Sequence, residues 1–341
     1  MRTVLAGIDE AGYGPLLGPL CIGASVFVVR QEAEAQATPN LWKLLEGAVC
    51  REPGRSGERD AKGRVPIADS KALKLSNSVK STHPLIHLER GVLVMLGLMN
   101  DEPIADDGAL LQRLGASLPS HRAYAGDATV LPVAVSSGEL GICRNLVRGA
   151  CERSGVSPAM LRCRVMSESE FNGVIASTGN KAETTAGPVG EHLRAIWETY
   201  GTVEHDGAPS RLGIVCDRLG GRASYAGLLE RELPGVSVEI VEETDARSRY
   251  VVTGPGRRAG ISFITESESA HMPVAVASMI AKYVRELLMK RFNEWYCATF
   301  RDERGTELKP TAGYALDARR WLDDVGETLT AADRAELVRR A

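Results

Sequence analysis

The fold is decided by the stretch Val4-Leu5-Ala6-Gly7-Ile8-Asp9-Glu10-Ala11-Gly12-Tyr13-Gly14-Pro15. Its apolar residues predict a buried β-strand, and the glycines and the proline predict a turn where that strand ends. Two adjacent carboxylates, Asp9 and Glu10, stand at this end. Buried carboxylates cost free energy unless they are paired or bind a metal ion. This stretch alone leaves two interpretations open, a metal site and an acidic turn exposed to solvent.

Length and composition limit the classes of protein that this chain can belong to. Its 341 residues suffice for one large or two ordinary domains, and 44% hydrophobic residues suffice for a sizeable core. A net charge of −3 excludes a globally basic surface, so a nucleic acid would be held by a local patch or through metal ions. The seven cysteines form no CxxC pair, which argues against a zinc site or a disulfide framework.

The apolar runs of the chain argue against insertion into a membrane. The first run is interrupted by acids too early for a signal peptide, and no run is long enough to span a bilayer. We therefore expect a cytoplasmic protein with no membrane partner.

Hydrophobic spacing outlines the secondary structure around the first strand. Cys21–Val29 is predicted to complete a hairpin with it, and 167–186 to be a polar loop. The other predicted helices cover 86–99, 141–152, 189–200, 225–232 and 272–295, and the other predicted strands cover 212–216, 236–241, 250–253 and 261–265. We expect a single domain over 1–341, with insertions at about 31–66 and 101–185 and a helical segment from about 314. Lys282, Arg285 and Lys290 are expected away from the apolar face of helix 272–295.

Further acids stand at the ends of predicted elements. Asp217 ends the apolar strand 212–216 and precedes a glycine turn, which repeats the pattern of the opening stretch. Glu268 stands just before helix 272–295, where it could equally complement the helix dipole. Acids without a histidine or cysteine cluster suit Mg²⁺ or Mn²⁺ better than zinc. In phosphoryl hydrolysis, two such ions about 3.5–4 Å apart hold the attacking water and the leaving oxygen.

The order of the motifs resembles that of the type 2 ribonucleases H. Asp9 to Pro19 is close to the family signature DEAGRGP-x-x-GP, and Pro273 to Lys282 is similar to the family's A-A-S-I-x-A-K helix. Asp69-Ser70-Lys71, Asp217 and Gly313-Tyr314 occur in the same order as the weaker family motifs. On these motifs, the chain is identified as a divergent member of that family.

The resemblance implies a ribonuclease H-like α/β fold, in which helices flank a central mixed five-stranded sheet. It implies a metal-dependent endonuclease that uses two Mg²⁺ or Mn²⁺ ions to cut RNA paired or joined to DNA, leaving 3′-hydroxyl and 5′-phosphate ends. The catalytic and metal-binding residues that it implies are Asp9, Glu10, Asp217 and Glu268. The fourth family acid is an aspartate 14 residues before the helix lysine, a position that Glu268 occupies here, with Glu266 as its competitor.

Two features of the opening motif complicate this assignment. Adjacent strand residues point to opposite faces, so Asp9 and Glu10 can meet in one site only if the glycine turn twists the chain. The family's Gly-Arg-Gly is Gly12-Tyr13-Gly14 here, and tyrosine cannot form a bidentate pair with phosphate. We therefore expect weak cleavage at a single ribonucleotide embedded in DNA.

Several residues are candidates for contact with an RNA/DNA hybrid or ribonucleotide-containing DNA. They are Gly12, Tyr13, Gly14, Ser70, Lys71, Arg218, Arg222, Lys282 and Tyr314. Helix capping is an alternative role for Asp69 or Ser70, and exposure on a solvated helix is the preferred interpretation for Arg319 and Arg320. Two alternative functions stay open, a nuclease for structured DNA and a non-catalytic nucleic-acid-binding homologue. The oligomeric state is not predicted.

Overall fold

The computed structural model describes residues 1–30, 37–53, 63–78, 81–220 and 222–340. The strands are β1 (Arg2–Ala11), β2 (Leu20–Arg30), β3 (Val49–Cys50), β4 (Val65–Pro66), β5 (Val156–Met166), β6 (Glu204–His205), β7 (Ala208–Asp217), β8 (Ser237–Glu243), β9 (Arg247–Gly254) and β10 (Arg257–Ile264). The helices are α1 (Leu41–Leu44), α2 (Ser70–Leu73), α3 (Ile86–Met99), α4 (Asp107–Arg113), α5 (Ser137–Ser154), α6 (Glu168–Thr178), α7 (Glu183–Tyr200), α8 (Ala226–Glu232), α9 (Met272–Arg304), α10 (Ala315–Val325) and α11 (Ala331–Leu337).

A mixed sheet forms the centre of the molecule, with strand order β5-β2-β1-β7-β10-β9-β8. β7 lies parallel to β1 and to β10, and the other neighbours along this path are antiparallel. The prediction of a mixed α/β fold is therefore confirmed. The sheet is wider than the predicted five strands, because β9 and β8 continue it beyond β10.

Hydrophobic side chains fill a layer on each face of the sheet. Residues of α3, α5 and α9 pack on one face, and residues of α7 and α8 pack on the other. A Cβ atom on Gly7 would lie 2.2 Å from the carbonyl carbon of Pro273, and one on Gly23 would lie 2.1 Å from the carbonyl oxygen of Ala277. Both positions require glycine, because the start of α9 rests directly on the backbones of β1 and β2.

Part of the segment 101–185, predicted as an insertion, contributes to the central sheet. β5 pairs antiparallel with β2 from Leu20 to Val29, so this segment supplies the edge strand beside β2. The predicted polar loop 167–186 contains α6, whose N-cap Ser167 accepts a hydrogen bond from the backbone amide of Glu170. This S-x-x-E pattern is a capping signature, and the left-handed Gly179 ends the helix.

The other sequence predictions have mixed outcomes. Helix 86–99 is confirmed without change, and α9 continues beyond its predicted end at 295 to Arg304. Arg285 was expected away from the buried face of this helix, but it is 1% exposed. Parts of the predicted insertion 31–66, namely 31–36 and 54–62, lie outside the described residues. The division of the chain into domains stays a prediction.

Among the described helices, none combines the length and the apolar character that crossing a bilayer requires.

Candidate metal centre and nucleic-acid interface

Three acids meet at the ends of two neighbouring parallel strands. β1 and β7 are paired up to Ile8 and Cys216, so Asp9 and Asp217 are the next residues on adjacent strands. One carboxylate oxygen from each of Asp9, Glu10 and Asp217 lies within 4.8 Å of the other two. Parallel pairing thus brings together side chains that are about 200 residues apart in the sequence.

Glu10 joins this group for a reason that differs from the expected one. The pairing of β1 with β2 stays regular as far as Ala11 and Cys21, so the glycine turn does not twist the strand at Glu10. The pairing of β1 with β7 ends two residues earlier, at Ile8. Glu10 therefore extends past the paired part of β7, and its carboxylate reaches those of Asp9 and Asp217 around the strand end.

Burial and mutual repulsion raise the pKa values of these acids. Burial raises the pKa of Asp9 well above its usual value, and the charges of Glu10 and Asp217 raise it further. Burial, followed by the charge of Asp217, raises the pKa of Glu10 to about 7. Burial is also the main cause of the raised pKa of Asp217. Like charges held this close disfavour full ionisation, so a bound cation would relieve both costs.

The chemistry of the donors fits a hard divalent cation. The group offers carboxylate oxygens, which Mg²⁺ and Mn²⁺ prefer. The Oδ1 atom of Asp217 is buried and has no hydrogen-bond partner among the described residues. Because buried polar atoms are normally satisfied, this oxygen is available as a metal ligand.

Glu268 lies beside the three acids without joining the closest group. It belongs to a short 3₁₀ helix (Ser267–Ser269) and is 8% exposed. Burial raises its pKa, and the charge of Asp217 raises it further, while its own charge raises the pKa of Glu10. Its competitor Glu266 is exposed and has a left-handed backbone. Of these two glutamates, Glu268 is the one that is buried beside the three acids, and its role as the fourth acid stays a prediction.

The motif Asp69-Ser70-Lys71 lies against the same site. Asp69 caps α2 by accepting a hydrogen bond from the amide of Lys71 at 3.1 Å, so capping is its role here. The hydroxyl oxygens of Ser278 and Ser70 are 2.9 Å apart, and a hydrogen bond from Ser278 lowers the pKa of Asp9. Ser278 belongs to the motif that runs from Pro273 to Lys282, and no role in the site was predicted for it from the sequence.

The positive charge of Lys71 acts on the acids of the site, since it lowers the pKa of Glu10, Asp217 and Glu268. Partial burial lowers its pKa, but this is outweighed by the surrounding carboxylates, so that the net pKa is raised. The carboxylates responsible are those of Asp69, Glu268, Asp9 and Asp217. The exposed Lys71 ammonium group therefore lies in the field of the site and is available to a phosphate.

Two buried arginines hold the loop that follows β1. Arg285 donates to the carbonyl oxygens of Pro19 at 2.6 Å and Leu17 at 3.0 Å. Arg339 donates to the carbonyl oxygens of Gly12, Tyr13 and Gly18. Sequence reasoning missed both roles, because nothing in the local pattern shows that these arginines have backbone carbonyls as partners.

The two arginines leave backbone amides of this loop without partners in the part of the chain that the structure describes. Its carbonyl oxygens point toward the two guanidinium groups, whereas the amides of Tyr13 and Gly14 have no hydrogen-bond partner among the described residues. Gly12 and Gly18 have φ values of 98° and 85°, a left-handed backbone that glycine adopts without strain. The loop thus offers N–H donors next to the carboxylates, as an anion-binding loop does.

Tyr13 itself lies between a cation and the glycine turn after β7. The Lys181 ammonium nitrogen is 5.2 Å from the centre of the Tyr13 ring. A Cβ atom on Gly220 would contact the same ring at 3.4 Å. Burial raises the pKa of Tyr13, and the charge of Glu10 raises it further, which places the ring beside the acids.

The remaining basic candidates are engaged within the protein. Arg218 donates to the carbonyl oxygens of Thr244 and Asp245, and Arg222 pairs with Glu183 at 2.5 Å. Both guanidinium groups are therefore committed to protein acceptors. Arg222 in particular would have to leave Glu183 before contacting a phosphate.

The last candidates for nucleic-acid contact lie on α9 and on or just before α10. Lys282 pairs with Glu286 at 2.5 Å, and its ammonium nitrogen is 5.8 Å from the ring centre of Tyr314, which is 47% exposed. Arg319 is exposed on α10. Arg320 pairs on the same helix with two aspartates, at 2.6 and 3.1 Å, in agreement with the solvated-helix interpretation.

Comparison with known proteins gives structural similarity alone. No protein-family model and no curated protein matches the chain. The RNase HII of the PCNA:RNase HII complex from Archaeoglobus fulgidus is similar at 15% identity and a TM-score of 0.38, over 98% of this chain and 93% of that one. Ribonuclease H2 from Pyrococcus horikoshii OT3 is similar at 13% identity and a TM-score of 0.39, over 95% of this chain and 86% of that one.

A third similar structure is Bst-RNase HIII in complex with Mn²⁺, at 14% identity and a TM-score of 0.36, over 96% of this chain and 64% of that one. At these values the similarity carries no conclusion about activity. The solved structures to which this chain is similar are type 2 ribonucleases H.

Proposed function

We propose that this chain is a metal-dependent endonuclease that hydrolyses the RNA strand of RNA/DNA hybrids or of RNA–DNA junctions. The observation that carries the proposal is the convergence of Asp9, Glu10 and Asp217, whose oxygens lie within 4.8 Å of one another with raised pKa values. Such a cluster is costly without a cation and is the donor set that Mg²⁺ or Mn²⁺ requires.

The proposed ligands are Asp9, Glu10, Asp217 and Glu268, which together would hold two ions. When bound, divalent ions supply an activated water and neutralise charge that develops on the phosphate. Around them, the hydrogen bond from Ser278 orients the Asp9 carboxylate. Lys71 supplies a positive charge at the rim, where a phosphate of the substrate would lie.

The loop after β1 is proposed to recognise the sugar and phosphate of the substrate strand. The amides of Tyr13 and Gly14 donate toward it, because Arg285 and Arg339 bind the carbonyl oxygens on the other side of the loop. The choice of RNA paired or joined to DNA rests on the resemblance of the Asp9–Pro19 motif to that of type 2 ribonucleases H. Tyr13 supplies stacking rather than a guanidinium group, which favours continuous hybrid over a lone ribonucleotide.

Cleavage of labelled substrates tests this proposal directly. Purified protein is incubated with Mg²⁺, Mn²⁺ or EDTA and with an RNA/DNA hybrid, a duplex that contains one ribonucleotide, or plain and branched DNA. We expect metal-dependent cleavage of the RNA strand with 3′-hydroxyl and 5′-phosphate products, and none in EDTA. Preferential cleavage of branched DNA would contradict the proposed substrate.

Asp9→Asn removes one charge from the cluster and should lower cleavage by orders of magnitude. Asp323→Asn makes the same chemical change at an exposed position on α10 and should leave cleavage unchanged. Unaltered cleavage by Asp9→Asn would refute the assignment of the site. Binding of hybrid without cleavage by wild type under all metal conditions would indicate a non-catalytic protein.

A further inference from the structure

A groove of about 580 Å³ lies beside the carboxylate site, on the face of the sheet where α9 begins. Its floor is formed by β7, β10 and β9, and its walls are formed by Thr38–Trp42 and Ala270–Pro273. α9 packs mainly on β1 and β2, and its first residues also contact β7 at the side of the groove. Among the described residues, no helix covers β10 and β9 on this face of the sheet beyond the groove walls.

The groove lies on the same face of β7 as the proposed metal ligand Asp217. Gly213 and Val215 line it, and Asp217 is the next residue of β7 that points to the same face. Ile264, which pairs with Asp217, lines the same end. The segment that joins β10 to α9, with the 3₁₀ helix Ser267–Ser269, contacts β7 between Asp217 and the groove, so a strand that leaves the carboxylate site reaches the groove past this segment.

The floor of the groove lacks side chains at its centre. Gly213 and Gly260 are direct neighbours on β7 and β10. A Cβ atom at either position would meet no atom within 4 Å, so neither glycine is required for packing. The backbone is therefore accessible there to a flat, extended ligand.

Three arginines lie on the groove face of the sheet, one each on β7, β9 and β10. Arg249 lines the groove, and Arg211 and Arg258 lie two residues before Gly213 and Gly260, on the same faces of their strands. None of the three forms an ion pair with a carboxylate among the described residues, and Arg211 and Arg258 are exposed neighbours.

Acidic groups on this face do not cancel the arginines. Glu242, on the edge strand β8, is paired at 2.9 Å with a fourth arginine, Arg247. Glu239 is the other β8 carboxylate that points this way, beside Val251. Beyond the carboxylate site, four arginines against two glutamates leave this part of the face net positive in a chain whose net charge is −3.

We propose that this face, which we name the arginine groove, binds a single nucleic-acid strand that extends from the carboxylate site. The proposal rests on the proposed function and specifies its substrate as a hybrid or junction with a single-stranded extension. Asp217 and Arg211 are six residues apart on one strand, a distance of about 20 Å. Several phosphates fit along this length, because phosphates follow one another at about 3.4 Å or more along a strand.

Binding without divalent ions tests the groove apart from catalysis. Fluorescein-labelled dT15 is titrated in EDTA at several salt concentrations, and anisotropy gives the Kd. Each phosphate contact of a single strand contributes a slope of about −0.7 in log K against log salt, or about fivefold in affinity at 0.1 M salt. Arg211→Gln/Arg258→Gln should therefore weaken binding about 25-fold and reduce the slope by about 1.4.

A matched control removes the same charge elsewhere. Arg153 and Arg304 are exposed at the last turns of α5 and α9, outside the groove. Arg153→Gln/Arg304→Gln should leave both Kd and slope close to those of wild type. Equal weakening by the two double variants would overturn the proposal, since it would show a general charge effect.

Filling the groove provides a test that leaves all charges in place. Gly260→Val adds a β-branched side chain that suits a strand and enters open space. It should preserve the melting temperature and weaken dT15 binding about tenfold or more, roughly as much as the loss of one or two phosphate contacts. Wild-type affinity in this variant would overturn the proposal, and so would competition by dTMP at the same concentration as dT15.

The outcomes separate this inference from the proposed function. Loss of dT15 binding in the groove variants, with no cleavage of any hybrid by wild type, would support the groove and contradict the nuclease proposal. Cleavage of blunt hybrid by wild type, with dT15 binding unaffected by the groove variants, would support the nuclease and overturn the groove.

Discussion

The replacement Glu10→Gln tests whether the acids form a site that requires a cation. Burial and the charge of Asp217 raise the pKa of Glu10 from 4.5 to about 7 in the metal-free protein. This difference corresponds to about 3 kcal/mol, at about 1.4 kcal/mol per pKa unit. The folded state binds the proton more tightly than the unfolded state. The resulting stabilisation is therefore full below pH 4.5 and is lost as the pH rises through 7.

At pH 8, ionised Glu10 thus destabilises the metal-free protein by about 3 kcal/mol relative to a neutral glutamine. Unfolding entropy of about 2.1 cal/mol/K per residue over 341 residues gives about 0.7 kcal/mol/K. The variant should therefore melt about 4 °C above wild type at pH 8 in EDTA, and most of this difference should disappear at pH 5.

Added Mg²⁺ should reverse the order. At 100 times its Kd, a cation that binds only the folded state stabilises it by about 2.7 kcal/mol, and the variant has lost a ligand for it. The assay is differential scanning fluorimetry at both pH values, with Glu230→Gln on the exposed side of α8 as the matched control. The reasoning is refuted if Glu10→Gln and wild type melt together at pH 8 in EDTA, or if Mg²⁺ stabilises both equally.

Three further predictions concern the loop, the packing of α9 and a buried histidine. Tyr13→Arg should raise the ratio of kcat/KM on single-ribonucleotide duplex to that on continuous hybrid, and an unmoved ratio would show that this loop does not set substrate choice. Gly7→Ala should lower the free energy of unfolding by about 3 kcal/mol or more in urea titrations, because its Cβ would lie 2.2 Å from the backbone of α9, whereas Gly213→Ala should cost nothing. Burial lowers the pKa of His192 to about 4. The neutral ring therefore contributes about 3 kcal/mol to the free energy of unfolding, fully above pH 6.5, and this contribution is lost as the pH falls to 4. His192→Gln should flatten this part of the stability profile, and an unchanged profile would contradict burial of the neutral ring.

The sequence by itself determined the elements whose pattern is local. Apolar runs located β1, β2 and β7, with glycine turns marking the ends of β1 and β7, and helical spacing located α3 and the first part of α9. It also determined that Asp9 and Asp217 stand at strand ends, because each carboxylate directly follows an apolar run. Signals for β5 and α6 were present as well. They are the alternation of Leu161, Cys163 and Val165 with arginines, and the capping pattern at Ser167, but both lay in a segment treated as an insertion.

Tertiary structure alone decided which of these residues meet. The parallel register of β1 and β7 sets Asp9 beside Asp217, and register is a property of two strands rather than of either sequence. Arg285 on α9 and Arg339 after the end of α11 are buried charged residues, and the sequence around neither of them gives a reason for burial. Their partners are backbone carbonyl oxygens of the distant loop after β1, and such oxygens carry no sequence signature. The arginine groove arises in the same way, because α9 begins above β1 and, among the described residues, packs mainly on β1 and β2 rather than on β10 and β9.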